Sequence, residues 1–213
     1  MGSCTGFGVP VAKYFGGNNL EKMRDYIFNG AVLVGIIAAV VTTICAVFCP
    51  QILHLLSVPE DIFDGTYAYL IIIFLGIPFT LMYNYLSGIL RSVGDSRTPF
   101  MFLAFSACLN IFLDLFCIVV LKWGCAGAAI ATILSQAISG SLCLVFIIRK
   151  MDLLWLKKSN RVVKGSAVKE LLLMGIPTGL QFSITAIGSM VMQSANNGLG
   201  SVCVSGFTAG MRI

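Results

Sequence analysis

Residues 106–121, "SACLNIFLDLFCIVVL", are apolar enough to enter a lipid bilayer, apart from Asn110 and Asp114. The two polar side chains lie four positions apart, so on a helix they share one face. The nearest charges along the chain are Arg97 and Lys122. A carboxylate at this depth costs about 2.5–3.5 kcal/mol on insertion scales. Loss of water also disfavours the charged form. Asp114 must then carry a proton, or face a cation or an aqueous cavity. Exchange between those states is the chemistry of an ion-coupled carrier. The plainer alternative is a neutral carboxyl cross-linking two helices. Position favours the functional reading, because intramembrane acids are seldom merely structural.

The elements that would hold these groups follow from the uncharged runs. The chain has 213 residues, 58% hydrophobic and 11% charged, with a mean hydropathy of +0.94. A soluble domain carries roughly a quarter charged residues, so a water-solvated fold is excluded. About 20 apolar residues span the hydrocarbon core as a helix. Tyr26 to Pro59 carries no acid, Lys or Arg and holds a span near Ala31 to Cys49. Gly65 to Leu90 and Trp123 to Ile148 are two more such runs, and Thr98 to Leu121 is broken only by Asp114. Leu171 to Met211 is too long for one helix; the "NNGLGS" turn divides it into a full span and the start of another. The expected fold is all-α, a polytopic membrane bundle with about five transmembrane helices in this chain.

Charge distribution sets the orientation. Lys13, Lys22 and Arg24 precede the first span, Arg91 and Arg97 follow the second, and seven Lys or Arg lie between Arg149 and Glu170. Alternate sides total twelve against two, Lys122 and Arg212 being the two. The positive-inside rule places the residue-1 end and segments 91–98 and 149–170 in the cytoplasm of a multi-pass plasma-membrane protein. The net charge of +5 is therefore topology rather than a nucleic-acid surface. The eight cysteines show no CxxC pair and fall mostly in spans, as small apolar residues. The ends look like cut helices, so the chain is expected to be an internal piece of a longer protein. No obligate protein partner is evident.

The third and fourth spans are joined only by "KWGC" and must be antiparallel neighbours. At 1.5 Å per residue, positions equally far from residue 123 share a depth. Asp114 then falls opposite Thr132, and Asn110 opposite Gln136. Gly124, Ala128, Thr132, Gln136 and Gly140 form an i+4 stripe, and small residues let membrane helices approach closely. The four polar groups are expected in the seam of one hairpin. Tyr83, Gln181 and Asn196 are candidates for a substrate cavity. In the connector "GILRSVGDSRTPF", Gly94 permits a tight turn and Arg91 can pair with Asp95. Asp95 or Ser96 can cap the next helix, and Pro99 suits its first turn.

Taken with "AKYFGGNNLEKMR", "LLSVPEDIFDGTYAYL", "NIFLD", "GCAGAAIATILSQ" and "LLLMGIPTGLQFSI", that connector makes the chain resemble the multidrug and toxic compound extrusion (MATE) transporters, collinearly over nearly its whole length. The resemblance implies two six-helix lobes in the full protein, with this chain running from the end of helix 2 to the start of helix 8. Residues 1–148 would belong to the N-terminal lobe, 149–170 to a basic cytoplasmic link, and 171–213 to the start of the C-terminal lobe. In the DinF-like branch, an Asn-x-x-x-Asp pair and a Thr bind the coupling H⁺ or Na⁺; they match Asn110, Asp114 and Thr132. That branch's main acid lies on helix 1, before Met1. The NorM-like branch has a Glu eight residues after its GxP proline, where this chain has Thr185. The implied function is a secondary antiporter exporting organic, cationic and amphipathic compounds, with no cofactor beyond the coupling ion and no metal beyond Na⁺ at Asp114. A flippase for lipid-linked saccharides should place Arg or Lys within its spans, and this chain places none. An enzyme would need a convergent His, Cys or Ser constellation, and the lone His54 lies in a different connector.

Overall fold

The computed structural model describes residues 2–55, 60–151, 154 and 162–197. Its helices are α1 (Gly2–Gly16), α2 (Leu20–Val47), α3 (Cys49–Leu55), α4 (Glu60–Leu75), α5 (Ile77–Ser92), α6 (Arg97–Leu115), α7 (Gly124–Lys150) and α8 (Gly165–Asn197). A π-helical turn, Phe116–Val120, continues α6. Four helices are long and apolar enough to cross a membrane: α2, α6 with its π turn, α7, and α8 as far as Met192. The pair α4–α5, bent by 41°, supplies a fifth. The architecture is the all-helical membrane bundle expected from composition.

Local chemistry explains where the elements begin and bend. Helix α2 starts at Leu20 rather than near Ala31, because the Asn19 side chain accepts from the Lys22 amide at 3.2 Å. That satisfies one of the amides left open at a helix start. The bend between α4 and α5 falls beside Pro78, which has no N–H to give to the preceding turn. The ladder resumes when Phe79 and Thr80 amides both donate to the Gly76 carbonyl, at 3.1 and 3.2 Å. Gly76 is required there for space. A Cβ on it would lie 2.4 Å from Ile133 Cγ1 of α7.

The α5–α6 connector turns at Gly94 (φ +87°). Of the two capping candidates, Asp95 is the one used: its Oδ1 accepts from the Thr98 amide at 3.0 Å, while Ser96 makes no side-chain cap. The Thr98 side chain and amide beside Asp95 hold its carboxyl below the usual carboxylate range. Lys13 pairs with Glu170 and Lys164 with Asp25, whereas Arg91, which could have paired with Asp95, makes no close ion pair with it.

Helix α5 is the centre of the packing, touching α1, α2 and α7, while α7 lies between α6 on one side and α4–α5 on the other. Phe7, Val11, Met23, Leu90 and Leu171 are fully buried where α1, α2, α5 and α8 converge. Large apolar side chains such as Phe112, Val119 and Ile184 face outward. Lipid tails are as apolar as Leu, so such faces are stable in a bilayer and not in water.

Candidate functional site

Of the four polar residues of the α6–α7 hairpin, Asn110 and Thr132 meet across it, in a register that differs from equal counting. Asn110 Nδ2 donates to Thr132 Oγ1 at 3.4 Å, so Asn110 lies against Thr132 rather than Gln136. One turn further from the connector, Ser106 Oγ donates to the Ser135 carbonyl at 3.4 Å. The connector is the reason. Leu121 donates to the Phe116 carbonyl and Trp123 to that of Cys117. A π turn holds an extra residue per turn relative to an α-helix. Lys122 and Gly124, both at φ +56°, then reverse the chain. Counting residues from Trp123 therefore overstates how far α6 has travelled.

The close-packed stripe is also shifted by one position. Gly127, Ala131, Ser135, Ser139 and Cys143 are the buried i+4 series on α7. A Cβ on Gly127 would come within 3.1 Å of Cys117 Cβ. Ala128, Thr132 and Gln136 are half-buried at the rim of that contact, Gly124 is exposed, and Gly140 packs on Met82 and Tyr83 of α5. The small residues make the seam, and the polar ones line its edge.

Hydrogen bonding along the edge is incomplete. Thr132 donates its hydroxyl to the Ala128 carbonyl at 2.9 Å, and Ser135 Oγ donates to the Thr132 carbonyl at 2.8 Å. Asp114 Oδ1 and Gln136 Oε1 are both buried and have no hydrogen-bond partner. Both are acceptors, and a buried acceptor left bare costs about 1–3 kcal/mol. The two lie on opposite sides of the Asn110–Thr132 clip, Asp114 one turn toward the connector and Gln136 one turn away from it. One carboxylate with neutral amide and hydroxyl oxygens suits H⁺ or a hard alkali cation, not a soft metal. Among the described residues no group of three His, Cys, Asp or Glu could hold a metal.

The substrate-cavity candidates are placed differently. Tyr83 is buried and its hydroxyl donates to the Pro99 carbonyl at 3.1 Å, tying α5 to α6. Gln181 is exposed on α8. Asn196 belongs to the end of α8, and its side chain lies outside the described residues, as do 198–213. Thr185 returns its hydroxyl to the Gln181 carbonyl at 2.9 Å, within its own helix.

A second polar cluster was not anticipated. It joins the basic ends of α1 and α2 to the start of α8. Asp25 pairs with Lys164, and the Tyr26 hydroxyl donates to Glu170, which also meets Lys13 Nζ at 3.5 Å. Fully buried Asn29 donates to the carbonyls of Asp25 (2.8 Å) and Val162 (3.2 Å) and accepts from the Lys164 amide (2.8 Å). The Tyr14 and Tyr26 rings stack with centroids 4.8 Å apart. Asp25 and Asn29 repeat the i, i+4 acid–amide spacing of Asn110 and Asp114, and that spacing was the available signal. Of these partners Glu170 lies on α8, which starts at Gly165, while Val162 and Lys164 lie just before it.

Membrane-length helices with ionisable and amide groups held inside one hairpin define a polytopic α-helical membrane protein. Residues 1–116 match the MatE family, and the chain belongs to that family. "Probable multidrug resistance protein YpnP" of Bacillus subtilis (strain 168) is 39% identical over 162 residues, covering 76% of this chain and 36% of that protein. "Multidrug export protein MepA" of Staphylococcus saprophyticus is 23% identical over 209 residues, covering 98% of this chain and 46% of that protein. The chain thus spans less than half the length of these relatives. The solved structure of a MOP superfamily transporter from Pyrococcus furiosus superposes with a TM-score of 0.88 at 22% identity, over 99% of this chain and 47% of that one. That likeness establishes the fold.

Proposed function

We propose that this chain forms part of a secondary antiporter that exports organic, cationic and amphipathic compounds in exchange for H⁺ or Na⁺. The names of the curated relatives support export of drugs. The observation that carries ion coupling is the buried, unpartnered Asp114 Oδ1, one helical turn from the Asn110–Thr132 clip. Binding H⁺ or Na⁺ there neutralises the carboxylate and draws the α6–α7 rim together. Release leaves a bare carboxylate that favours a wetter arrangement. An ion shifts such an equilibrium only by its differential affinity for the two states, and a buried carboxylate oxygen with no partner has that property.

The Asp25–Lys164 and Tyr26–Glu170 contacts would be the part that responds. They join the proposed N-terminal lobe to the end of the basic link that leads into the C-terminal lobe. Their making and breaking would close and open that side during alternating access.

The deciding experiment uses the full-length protein in vesicles, wild type against Asp114→Asn, with drug export followed under imposed H⁺ and Na⁺ gradients. Asp114→Asn should bind drug but lose gradient-driven export. Undiminished, still ion-driven export by the variant would overturn the coupling role.

A further inference from the structure

A groove of about 600 Å³ runs between α2, α5 and α7, away from the hairpin seam. Helix α5 is its floor, and α2 and α7 each pack on α5 to form the walls. Ile27, Ala31 and Ala38 line one wall, Ile147 the other, and Leu86 the floor. The Tyr85 hydroxyl is the single polar side-chain group in the lining, and it is already donated to the Ile27 carbonyl at 2.7 Å. The surface is therefore overwhelmingly apolar, which disfavours a polar compound and suits a hydrocarbon chain.

Length and charge narrow the occupant. From Ile27 to Ala39 the groove follows α2 for roughly 18 Å at 1.5 Å per residue. One leaflet of the hydrocarbon core is about 15 Å deep, so the groove matches one acyl chain of one leaflet. Buried Leu154 lines the end near Met151, to whose carbonyl its amide donates at 2.9 Å. At that same end α7 finishes with exposed Arg149 and Lys150, directly after the lining residues Ile147 and Ile148. A basic rim above an acyl-sized slot is the chemistry that selects an anionic headgroup.

We infer that the α2–α5–α7 groove is a binding site for an anionic phospholipid, one acyl chain lying along α5 and the phosphate at Arg149 and Lys150. The site is separate from the coupling seam and does not depend on the transport reading. Seated there, the lipid braces α2 against α7 across the floor helix.

The test is native mass spectrometry of the full-length protein released from vesicles of equal phosphatidylglycerol and phosphatidylcholine with identical chains. Each basic side chain near an anionic lipid is worth on the order of a fivefold factor, so wild type should retain phosphatidylglycerol roughly 30-fold over phosphatidylcholine. Ala31→Trp and, separately, Ala38→Phe fill the slot and should remove the retained lipid of both kinds. Arg149→Gln with Lys150→Gln leaves the slot intact and should keep a lipid while losing the preference. Equal retention of the two lipids by wild type would overturn the proposal. So would full phosphatidylglycerol retention in both slot-filling variants, which would mark ordinary attraction to the basic surface.

Discussion

Asn110 Nδ2 donates to Thr132 Oγ1 across the α6–α7 hairpin at 3.4 Å, and the Thr132 hydroxyl donates in turn to the Ala128 carbonyl at 2.9 Å. The hydroxyl is thereby used on both sides, as acceptor and as donor. One turn along each helix, Asp114 Oδ1 and Gln136 Oε1 have no such partner. Satisfied and bare oxygens thus alternate along one rim. A rigid structural cross-link would satisfy them all, whereas a site that binds and releases a cation must leave some acceptors free.

The clip and the bare oxygens should be energetically linked. Asn110→Leu and Thr132→Val each remove one half of the interaction. Interhelical hydrogen bonds in membranes average about 0.6 kcal/mol, reaching about 1.7. The expected result is a double-mutant coupling of that size in the apparent affinity of the full-length protein for the driving ion, read from efflux against ion concentration. Strictly additive effects would show that the two side chains do not act together.

Gly76 gives a cleaner test of packing. A methyl there meets Ile133 Cγ1 at 2.4 Å and Cδ1 at 2.7 Å, and overpacking costs typically about 1–3 kcal/mol. Gly76→Ala should lower the thermal midpoint of the detergent-solubilised protein. Because the obstacle is one side chain, Ile133→Ala in the same chain should restore much of the loss. If the pair is no more stable than Gly76→Ala alone, the bend is set by backbone and not by that contact.

Much of this was legible in sequence, and the exceptions have definite causes. The spans were visible because uncharged runs of about 20 residues have few other uses. That Asn110 and Asp114 would sit on a helix antiparallel and adjacent to the one carrying Thr132 and Gln136 was visible because "KWGC" is too short for anything but a hairpin. Their pairing was not, because the π turn after Asp114 adds a residue that no composition reveals. The buried stripe was misplaced by one position because Gly, Ala and Ser are equally small on either face of α7. Tyr83 looked like a cavity residue because a Tyr in a span has a free hydroxyl until its acceptor, the Pro99 carbonyl, is known. The Asp25–Lys164 pair joins residues 139 apart. A charge count treats Lys164 as one of seven equivalent cations in its segment.

Asn29 is the keystone of that second cluster. It is fully buried, with two hydrogen bonds donated and one accepted. Asn29→Leu strands the Lys164 amide and the Val162 carbonyl, at about 1–3 kcal/mol for a buried group. In the full-length protein the expected outcome is a loosened contact between α2 and the start of α8. A cysteine placed at buried Ala167 should then react several-fold faster with a water-soluble maleimide. An unchanged rate would mean that the contact is held without Asn29.

Asp95 makes a prediction about pH. Its Oδ1 accepts from the Thr98 amide, and the Thr98 side chain and amide hold the carboxyl below its ordinary range. A carboxyl whose folded value is depressed contributes stability that is present above the unfolded value, about 3.9, and is lost as pH falls through the folded value. Asp95→Asn keeps a capping oxygen but not the charge, while Asp95→Ala removes both and should cost about 1 kcal/mol at neutral pH. The advantage of wild type over Asp95→Asn should be complete at pH 7 and close progressively below about pH 4. Thermal unfolding of the three proteins across pH 3–7 checks it. A gap between wild type and Asp95→Asn that stays constant across that range would show that the charge of Asp95 is not what the α6 N-terminus uses.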